Sequence, residues 1–378
     1  MRDVVIVGGG PVGTMLASLL AVRGLDVQVL EQRTEPSLRS RAIGIHPPLL
    51  QILDEIGVTD SLVKRAVHVT RGSVLCDGRT LGRLSFTDLP TRHRFVAMLP
   101  QYETEALLRE RFEQLRPGAF RGGAEVTGVT EVGDHVEVTT AGGETFQARY
   151  VVAADGARSR VREAAGIGWQ ALGSHETYLM CDYVDTGNHG AAALLYFERG
   201  GVVESFPLPD GHRRWVAMTD FLATTASSTD LADIIRHRTG TSVTQPRGTA
   251  SPFEVQQRIA DRFVAGRVVL VGDAAHQISP IGGQGMNLGW LDAAALAPAL
   301  ARALSESGSA GAGEAALAAY SRTRRRSART AMLQAGFNMS MGRPARGLRL
   351  RARNALVRTL AVPPTNAVVA RAFTMRWL

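Results

Sequence analysis

Lysine, cysteine and long apolar runs are scarce in this chain of 378 residues. Lys64 is the only lysine, so arginine carries nearly all of the basic charge. The two cysteines, Cys76 and Cys181, stand far apart, which argues against a zinc site, a redox dithiol or a disulfide framework. No apolar run approaches the roughly 18 residues of a membrane span, and Asp3 and Gly8 interrupt any secretion signal. We therefore expect a cytoplasmic protein without a metal site or a membrane span.

Charge is distributed unevenly along the chain. The segment after Glu314 carries many arginines but no acidic residue, and the net charge is +8. Such a tail can attract anionic ligands, although solvated helix faces explain the same pattern. Because no aromatic interleaving accompanies these arginines, we predict no nucleic-acid partner. Leu348, Ala352 and Leu356, at i+4 spacing, predict a helix over 346–360 that packs on the rest of the protein.

The first motif that points to chemistry is a glycine turn between an apolar run at 4–7 and an Ala/Leu-rich helical stretch. Its glycines follow the GxGxxG pattern of a dinucleotide-binding turn: Gly8, Gly10 and Gly13. A second apolar run follows the helical stretch and ends at Glu31, 18 positions after the last glycine. The order strand, glycine turn, helix, strand predicts a Rossmann-like βαβ unit.

Each residue type in this unit has a physical role. Gly8 permits the tight turn, Gly10 lets the backbone approach a pyrophosphate, and Gly13 lets the helix pack closely on the strand. The helix N-terminus offers its N–H groups to the phosphates. Glu31 is expected to accept hydrogen bonds from an adenosine ribose and to repel a 2′-phosphate, so the predicted ligand is FAD or NAD rather than NADP. We also predict cofactor contacts from the neighbouring residues Pro11, Val12, Gln32 and Arg33.

A third apolar run, 268–271, is followed by Gly272 and Asp273. A carboxylate at the carboxyl end of a strand lies where open α/β sheets bind ligands, so Asp273 is expected to accept hydrogen bonds from ribityl hydroxyls. A glycine-rich turn leading into a helix follows, and its N–H groups can meet an anion or an electron-rich ring edge. The predicted cofactor residues of this turn are Pro280, Gly282, Gly283, Gly285, Met286 and Asn287.

Three segments together resemble the flavoprotein aromatic hydroxylases, the p-hydroxybenzoate hydroxylase class. Segment 150–162, with Asp155 and Gly156, resembles the DG motif of that family, and segment 268–276 resembles its GD motif. Both occur with the glycine turn in the family's order. The resemblance implies that the arginines after Asp155 support the FAD phosphates and a transient contact with NADPH. They are Arg158, Arg160 and Arg162.

Two further segments are similar to this family. Segment 40–45 resembles its Arg-Ala segment, which implies that Arg41 lies near FAD and the nicotinamide donor. Segment 100–109 resembles a helix whose two ends, here Gln101 and Arg109, reach the cofactor. An i,i+4 pair between Glu105 and Arg109 on a plain helix is the alternative interpretation of Arg109. His46 is a weaker candidate for the active site, because a lone histidine is more often structural.

The resemblance implies an α/β fold with a Rossmann-like FAD-binding lobe, a mixed or antiparallel sheet that forms a substrate lobe, and C-terminal helices. Within this family, the chain resembles the compact members, which have no C-terminal thioredoxin-like domain. We predict a discontinuous FAD-binding lobe at 1–66, 100–170 and 258–325, a substrate lobe at 67–99 and 171–257, and C-terminal helices at 326–378.

The implied activity is an FAD-dependent monooxygenase. The family reduces FAD with NADPH or NADH as a transient co-substrate, captures O2 as a C4a-hydroperoxyflavin and hydroxylates a phenolic or polycyclic aromatic small molecule. The high Ala, Gly and Arg content favours natural-product tailoring or aromatic degradation. Baeyer–Villiger or epoxidising chemistry on the same fold, and a non-catalytic flavin- or ligand-binding protein, stay open as alternatives. No catalytic acid or base is assigned, and either a monomer or a homodimer is expected.

Overall fold

The computed structural model describes residues 1–37, 42–278, 283–305, 310–363 and 365–375. The N-terminal half contains β1 (Arg2–Val7), α1 (Pro11–Ala21), β2 (Val27–Glu31), β3 (Gly44–Ile45), α2 (Pro47–Glu55), α3 (Thr59–Arg65), β4 (Val67–Val69), β5 (Arg71–Cys76), β6 (Arg79–Ser85), β7 (Val96–Met98), α4 (Gln101–Leu115), β8 (Phe120–Gly122), β9 (Val126–Val132), β10 (His135–Thr140), β11 (Thr145–Ala153) and α5 (Arg160–Ala164).

The C-terminal half begins with a long strand that leaves the first sheet. It contains β12 (Trp169–Val184), β13 (Ala193–Glu198), β14 (Gly201–Leu208), β15 (His212–Thr219), α6 (Ser228–Thr239), β16 (Pro246–Ala260), β17 (Val264–Ala265), β18 (Val268–Leu270), β19 (His276–Gln277), α7 (Gln284–Leu304), α8 (Ala310–Gly342), α9 (Gly347–Leu360) and α10 (Thr365–Phe373). A short 3₁₀ turn, Gly272–Ala274, lies between β18 and β19.

The first sheet has a parallel core in the order β18–β11–β1–β2–β8. Val5 of β1 lies opposite Gln28 of β2 on one side and Val151 of β11 on the other. These central strands are apolar and buried, as expected for a sheet covered by helices. The βαβ unit predicted from the glycine turn is therefore present, and the predicted α/β fold class is confirmed.

The second sheet is largely antiparallel, in the order β19–β16–β12–β15–β14–β13–β5–β6. Its residues alternate between two faces. One face carries Leu179 and Trp215 and packs against Leu231 and Ile235 of α6. The opposite face carries Met180 and Val216 and looks toward the first sheet and the C-terminal helices. A small third sheet has the order β3–β7–β4. In the chain, β3 and β4 precede the first two strands of the second sheet, and β7 follows them.

The lobe boundaries given above stay a prediction. The first sheet draws its strands from 2–31, 120–153 and 264–270, and the second from 71–85, 169–260 and 276–277. Strand β19 therefore pairs with the second sheet although it lies within a range predicted for the FAD-binding lobe.

Helix α9 docks through a different face from the predicted one. Helix α9 forms where it was expected, but Leu348 is 81% exposed. Its buried face carries Leu350, Arg353 and Val357 instead. Arg353 donates to the carbonyl oxygens of Met341 and Phe197, so a buried guanidinium rather than a leucine stripe fixes the helix. Among the described residues, no helix is both long enough and apolar enough to cross a membrane.

A substitution at Gly13 tests how closely α1 packs on the turn before it. A Cβ atom at this position would lie 2.0 Å from the carbonyl oxygen of Gly8, and a backbone atom cannot move aside cheaply. Gly13→Ala is expected to lower the free energy of unfolding by about 1–3 kcal/mol, the usual cost of overpacking. Chemical denaturation measures the change.

The matched control is Gly336→Ala, inside α8, where an added Cβ meets no atom within 4 Å. Helix propensity alone predicts that this substitution stabilises the protein by up to about 1 kcal/mol. If both variants gained stability, the proposed packing at Gly13 would be wrong.

Candidate cofactor and substrate cavity

A cavity of about 890 Å³ extends from the turn between β1 and α1 to the inner face of the second sheet. This volume is at the upper end of the roughly 300–1,000 Å³ that small-molecule sites occupy. Its lining changes along its length. Glu31, Arg33 and Asp155 line it on the side of the first sheet, whereas Met180 and Phe206 line it on the side of the second.

Most of the predicted cofactor residues meet at this cavity. Those that line it are Gly8, Gly10, Pro11, Val12, Glu31, Gln32, Arg33, Gln101, Asp155, Gly156, Asp273, Gly283, Gly285 and Met286. Four others are not among the lining residues: Gly13, Arg109, Gly272 and Asn287. Arg41, Pro280 and Gly282 lie outside the described residues. Residues as far apart in the sequence as Gly8 and Met286 thus share one site.

The glycine turn leaves space at the position where a ligand would approach. Gly8 has a φ of +107°, and a Cβ there would lie 2.3 Å from the carbonyl oxygen of Ala154, so only glycine fits. A Cβ at Gly10 would instead meet no atom within 4 Å. Gly10 is also the N-cap of α1, and no described side chain caps that helix. The N–H groups of its first turn remain available to an anion.

Glu31 ends β2 beside this turn. Its Oε2 atom accepts from the N–H of Gly9 at 2.7 Å, and its Oε1 atom accepts from the N–H and the Nε of Arg33 at 3.0 and 2.8 Å. Burial raises the pKa of the Glu31 carboxyl, but the hydrogen bonds from Arg33 and Gly9 outweigh it and hold the pKa below its ordinary value. The carboxylate is therefore ionised at neutral pH and fixed at the edge of the cavity.

The segment after β11 turns at Asp155 and Gly156. Burial raises the pKa of Asp155, against hydrogen bonds that include one from the Val161 N–H at 3.2 Å. Its Oδ1 atom is buried and accepts no hydrogen bond from the described residues. A buried acceptor without a partner is costly, so this atom is a natural contact for a ligand with a donor group.

The three arginines of this segment have different surroundings. Arg158 and Arg160 line the cavity, and Arg160 also pairs with Glu125 at 2.7 Å. Arg162 is buried, donates to the carbonyl oxygens of Ala157 and Ala274, and lies 4.1 Å from the ring centroid of Trp169. Arg162 therefore holds two backbone segments together rather than facing a ligand.

Asp273 follows β18 and is exposed in the cavity. The turn that presents it is fixed from behind by Asp292 of α7. The Asp292 carboxylate accepts from the Gly272 N–H at 3.2 Å, from His276 Nε2 at 2.5 Å and from Arg324 Nε at 2.7 Å. Burial raises the pKa of Asp292, but the charges of His276 and Arg324 outweigh it and lower the pKa. This network joins the turn after β18 to α7 and α8.

Helix α7 also begins at the cavity. Gly283 is its N-cap, and no side chain among the described residues caps it. The amide of Gln284 is fully buried, and neither its Oε1 nor its Nε2 has a hydrogen-bond partner in the described part of the chain. Asn287 does not line the cavity. It binds the Gly44 and Gly283 carbonyls at 2.8 and 2.7 Å and accepts from the His46 N–H, so it joins α7 to β3.

Helix α4 places one of its two predicted residues at the cavity. Gln101 lines it and donates to Glu105 at 2.6 Å. Arg109, two turns later, lies with its guanidinium carbon 4.2 Å from the ring centroid of Phe120. The proposed pair between Glu105 and Arg109 is not among the described ion pairs. A cofactor contact from Arg109 stays a prediction.

The second sheet supplies an apolar wall that contains a buried charge cluster. Met180, Phe206 and Val216 line the cavity. Arg214, on the same face, binds both carboxylate oxygens of Asp182 at 2.7 and 2.9 Å. Glu204 lines the same wall and is only 3% exposed. Strand alternation predicts this face, but it does not tell which of the two faces meets the cavity.

Several cavity residues were not identified from the sequence. Phe86 follows β6, and Phe373 ends α10 near the far end of the described chain. His46, a weak candidate, does line the cavity and is 1% exposed. Neither phenylalanine lies in a motif, so only the folded structure shows that they line the cavity. The aromatic residues Tyr183, Tyr196 and Trp215 turn away from the cavity toward α6.

Asp292→Asn tests the network behind Asp273. Removing the charge leaves Arg324 buried beside a neutral amide, and breaking a buried pair in this way costs about 3–5 kcal/mol of unfolding free energy. Denaturant-induced unfolding followed by circular dichroism measures the loss. As a control, Asp233→Asn removes a 57% exposed partner of Arg236 and should change stability by less than about 1 kcal/mol. Equal losses in the two variants would contradict the role given to Asp292.

Comparisons with known proteins agree with this geometry. A family model described as an FAD binding domain matches residues 1–335. The rifampicin monooxygenase of Streptomyces venezuelae is 37% identical over 303 residues, which is 78% of this chain and 62% of that protein. The 6-methylpretetramide 4-monooxygenase of Streptomyces rimosus is 36% identical over 312 residues, or 79% of this chain and 55% of that protein. The chain thus spans about three fifths of these curated relatives.

The solved structure of p-nitrophenol 4-monooxygenase from Pseudomonas putida superposes with a TM-score of 0.88 at 26% identity. The superposition covers 99% of this chain and 98% of that one. A whole-chain agreement of this kind extends the likeness beyond the glycine turn to the second sheet and the C-terminal helices. Together with the family match, it means that this chain belongs to the FAD-binding domain family of the flavoprotein aromatic hydroxylases.

Proposed function

We propose that the cavity holds FAD along its polar wall and an aromatic substrate against its apolar wall, and that the protein is an NAD(P)H-dependent monooxygenase. The observation that carries the proposal is the continuity of one cavity from the N-termini of α1 and α7 to the inner face of the second sheet. Oxygen transfer requires that the flavin ring and the substrate share one space from which water is excluded.

The residues present fit FAD. The N-termini of α1 and α7 face the same cavity, no side chain of the described residues caps either, and each favours a negative charge. Open space at Gly10 accepts a phosphate group close to the backbone. Asp155 lines the cavity, and its buried Oδ1 atom, which accepts no hydrogen bond from the described residues, is a polar group that a ligand would satisfy. A purely apolar ligand would leave this atom without a partner.

Specific roles follow from the position of each group. Glu31 would accept from the adenosine ribose, the first turn of α1 would hold the pyrophosphate, and Asp273 would accept from the ribityl chain. The start of α7 would meet the flavin ring and favour its reduced, anionic form. The other lining residues from the sequence motifs would complete the contacts: Gln32, Arg33, Gln101, Gly156 and Met286.

When bound and reduced, FAD supplies the activated oxygen, so the protein's own part is to bind, orient and exclude water. The apolar wall of Met180, Phe206 and Val216 suits a flat aromatic ring system. We propose a phenolic or polycyclic substrate of the kind named by the curated relatives. NADPH or NADH would reach the cavity transiently, and Arg158 is positioned to attract its phosphates.

The test is oxygen incorporation by the FAD-loaded protein. With NADPH or NADH, ¹⁸O₂ and a panel of phenols and polycyclic aromatics, we expect one compound to accelerate NAD(P)H oxidation. Its product should gain one ¹⁸O atom on an intact ring, as detected by mass spectrometry. The same reaction without the aromatic compound is the control, and it should consume NAD(P)H slowly and form no oxygenated product.

The alternatives predict different results. A lactone or an epoxide carrying one ¹⁸O would assign the Baeyer–Villiger or epoxidising activity instead. Bound FAD that no compound of the panel renders reactive with NAD(P)H would contradict the monooxygenase proposal and favour a flavin- or ligand-binding protein. The fold and the cavity stand in either case.

A further inference from the structure

Helix α10 lies beyond the part of the chain that the family model matches, yet it contributes a wall of the cavity. The match ends at residue 335, whereas α10 spans Thr365–Phe373. Its last residue, Phe373, lines the cavity. The motifs of the matched segment therefore do not specify this side chain, although the C-terminal helices themselves superpose on a solved relative.

The helix is firmly docked. Ala370 is 4% exposed and packs in a cluster with Phe86 and Phe206. Gln334 of α8 donates to the carbonyl oxygen of Ala372 at 2.8 Å. Met375, just after the helix, is 1% exposed in the main core. The position of Phe373 is therefore fixed by contacts on both sides of it in the sequence.

The ring of Phe373 bridges the two halves of the cavity. Its centroid lies 6.0 Å from that of Phe86, with an interplanar angle of 22°, and 5.6 Å from that of His46, with an angle of 71°. His46 is bound through its N–H to Asn287 of α7, beside the proposed flavin site. Phe86 and Phe206 belong to the substrate side. Phe373 thus stands between the proposed cofactor and the apolar wall.

We propose that Phe373 determines which aromatic substrates this protein accepts. Its ring stacks against a bound aromatic molecule and limits the number of fused rings that the cavity admits. This inference rests on the aromatic substrate of the proposed function. It assigns to α10 the role of a specificity wall, built from a part of the chain that contributes nothing to the cofactor motifs.

The experiment compares two phenols of different size, 1-naphthol with two fused rings and 1-hydroxypyrene with four. Their dissociation constants are measured by the change they cause in the absorption spectrum of the oxidised, FAD-loaded protein. Phe373→Ala removes the stacking partner and opens space, so 1-naphthol should bind less tightly and 1-hydroxypyrene more tightly. We expect the ratio of the two constants to shift about tenfold toward the larger compound, the scale of one lost aromatic contact.

Val368→Ala is the matched control, because Val368 is 55% exposed on the same helix. It should leave the ratio within about twofold of the native value. A ratio of constants does not depend on the fraction of protein that is folded, so a destabilised Phe373→Ala variant still gives an answer. The FAD content of each variant, read from the same spectrum, normalises the comparison.

An unchanged ratio in Phe373→Ala would overturn the proposal, as would a native protein that binds neither phenol. An equal shift in Val368→Ala would also overturn it, because the effect would then belong to the helix as a whole. Binding in this assay needs no turnover. A protein that shows the expected shift but oxidises no NAD(P)H would therefore disprove the proposed function and leave the role of Phe373 standing.

Discussion

The contact between α1 and α7 is the constraint on which the rest of the site depends. The two helices start at Pro11 and Gln284, far apart in the sequence, and they approach so closely that a Cβ at Gly289 would lie 2.6 Å from the Val12 side chain. Trp290 Nε1 donates to the carbonyl oxygen of Pro11 at 3.0 Å across the same contact. Because both helix N-termini then point at one cavity, their partial positive charges act on one ligand.

A buried charge network maintains this arrangement from behind. Asp292 reaches the turn of Gly272 while it binds His276 and Arg324, so one carboxylate joins the turn, α7 and α8. Removing one partner of such a buried ion pair leaves an uncompensated charge, so the pairing of Asp292 constrains where the turn can lie relative to both helices. His276, which follows Asp273 in the sequence, thus serves to position the turn and does not face the cavity.

The sequence predicted the parts of the site that local chemistry determines. A glycine turn between two apolar strands has few folded solutions, so the placement of Gly8, Gly10 and Glu31 at one edge follows from their spacing. Asn287 shows the limit of such reasoning. It lies where the cofactor contact was expected, yet its side-chain amide donates to the carbonyl oxygens of Gly44 and Gly283. Which way a side chain points after a turn depends on distant packing.

Tertiary packing also explains what the sequence did not predict. The leucine spacing suggested that the face of α9 with Leu348 packs on the protein. The buried face instead carries Arg353, which donates hydrogen bonds to backbone carbonyl oxygens. Phe373 reaches the cavity because α10 folds back over β6, a contact that no local pattern specifies. In this proposal, motifs from the glycine turn to the start of α7 supply the cofactor site, and α10 shapes the space beside it.

The central claim is that one ligand spans the cavity from Glu31 to the start of α7. Titration of the apoprotein with FAD and with FMN, followed by flavin fluorescence, tests it most directly, because FMN lacks the adenosine and one phosphate. FMN cannot make the contacts at Glu31 and at the first turn of α1. We therefore expect FAD to bind about a hundredfold more tightly than FMN, the equivalent of two hydrogen bonds to charged groups. Equal affinities, or no binding of FAD, would contradict the account.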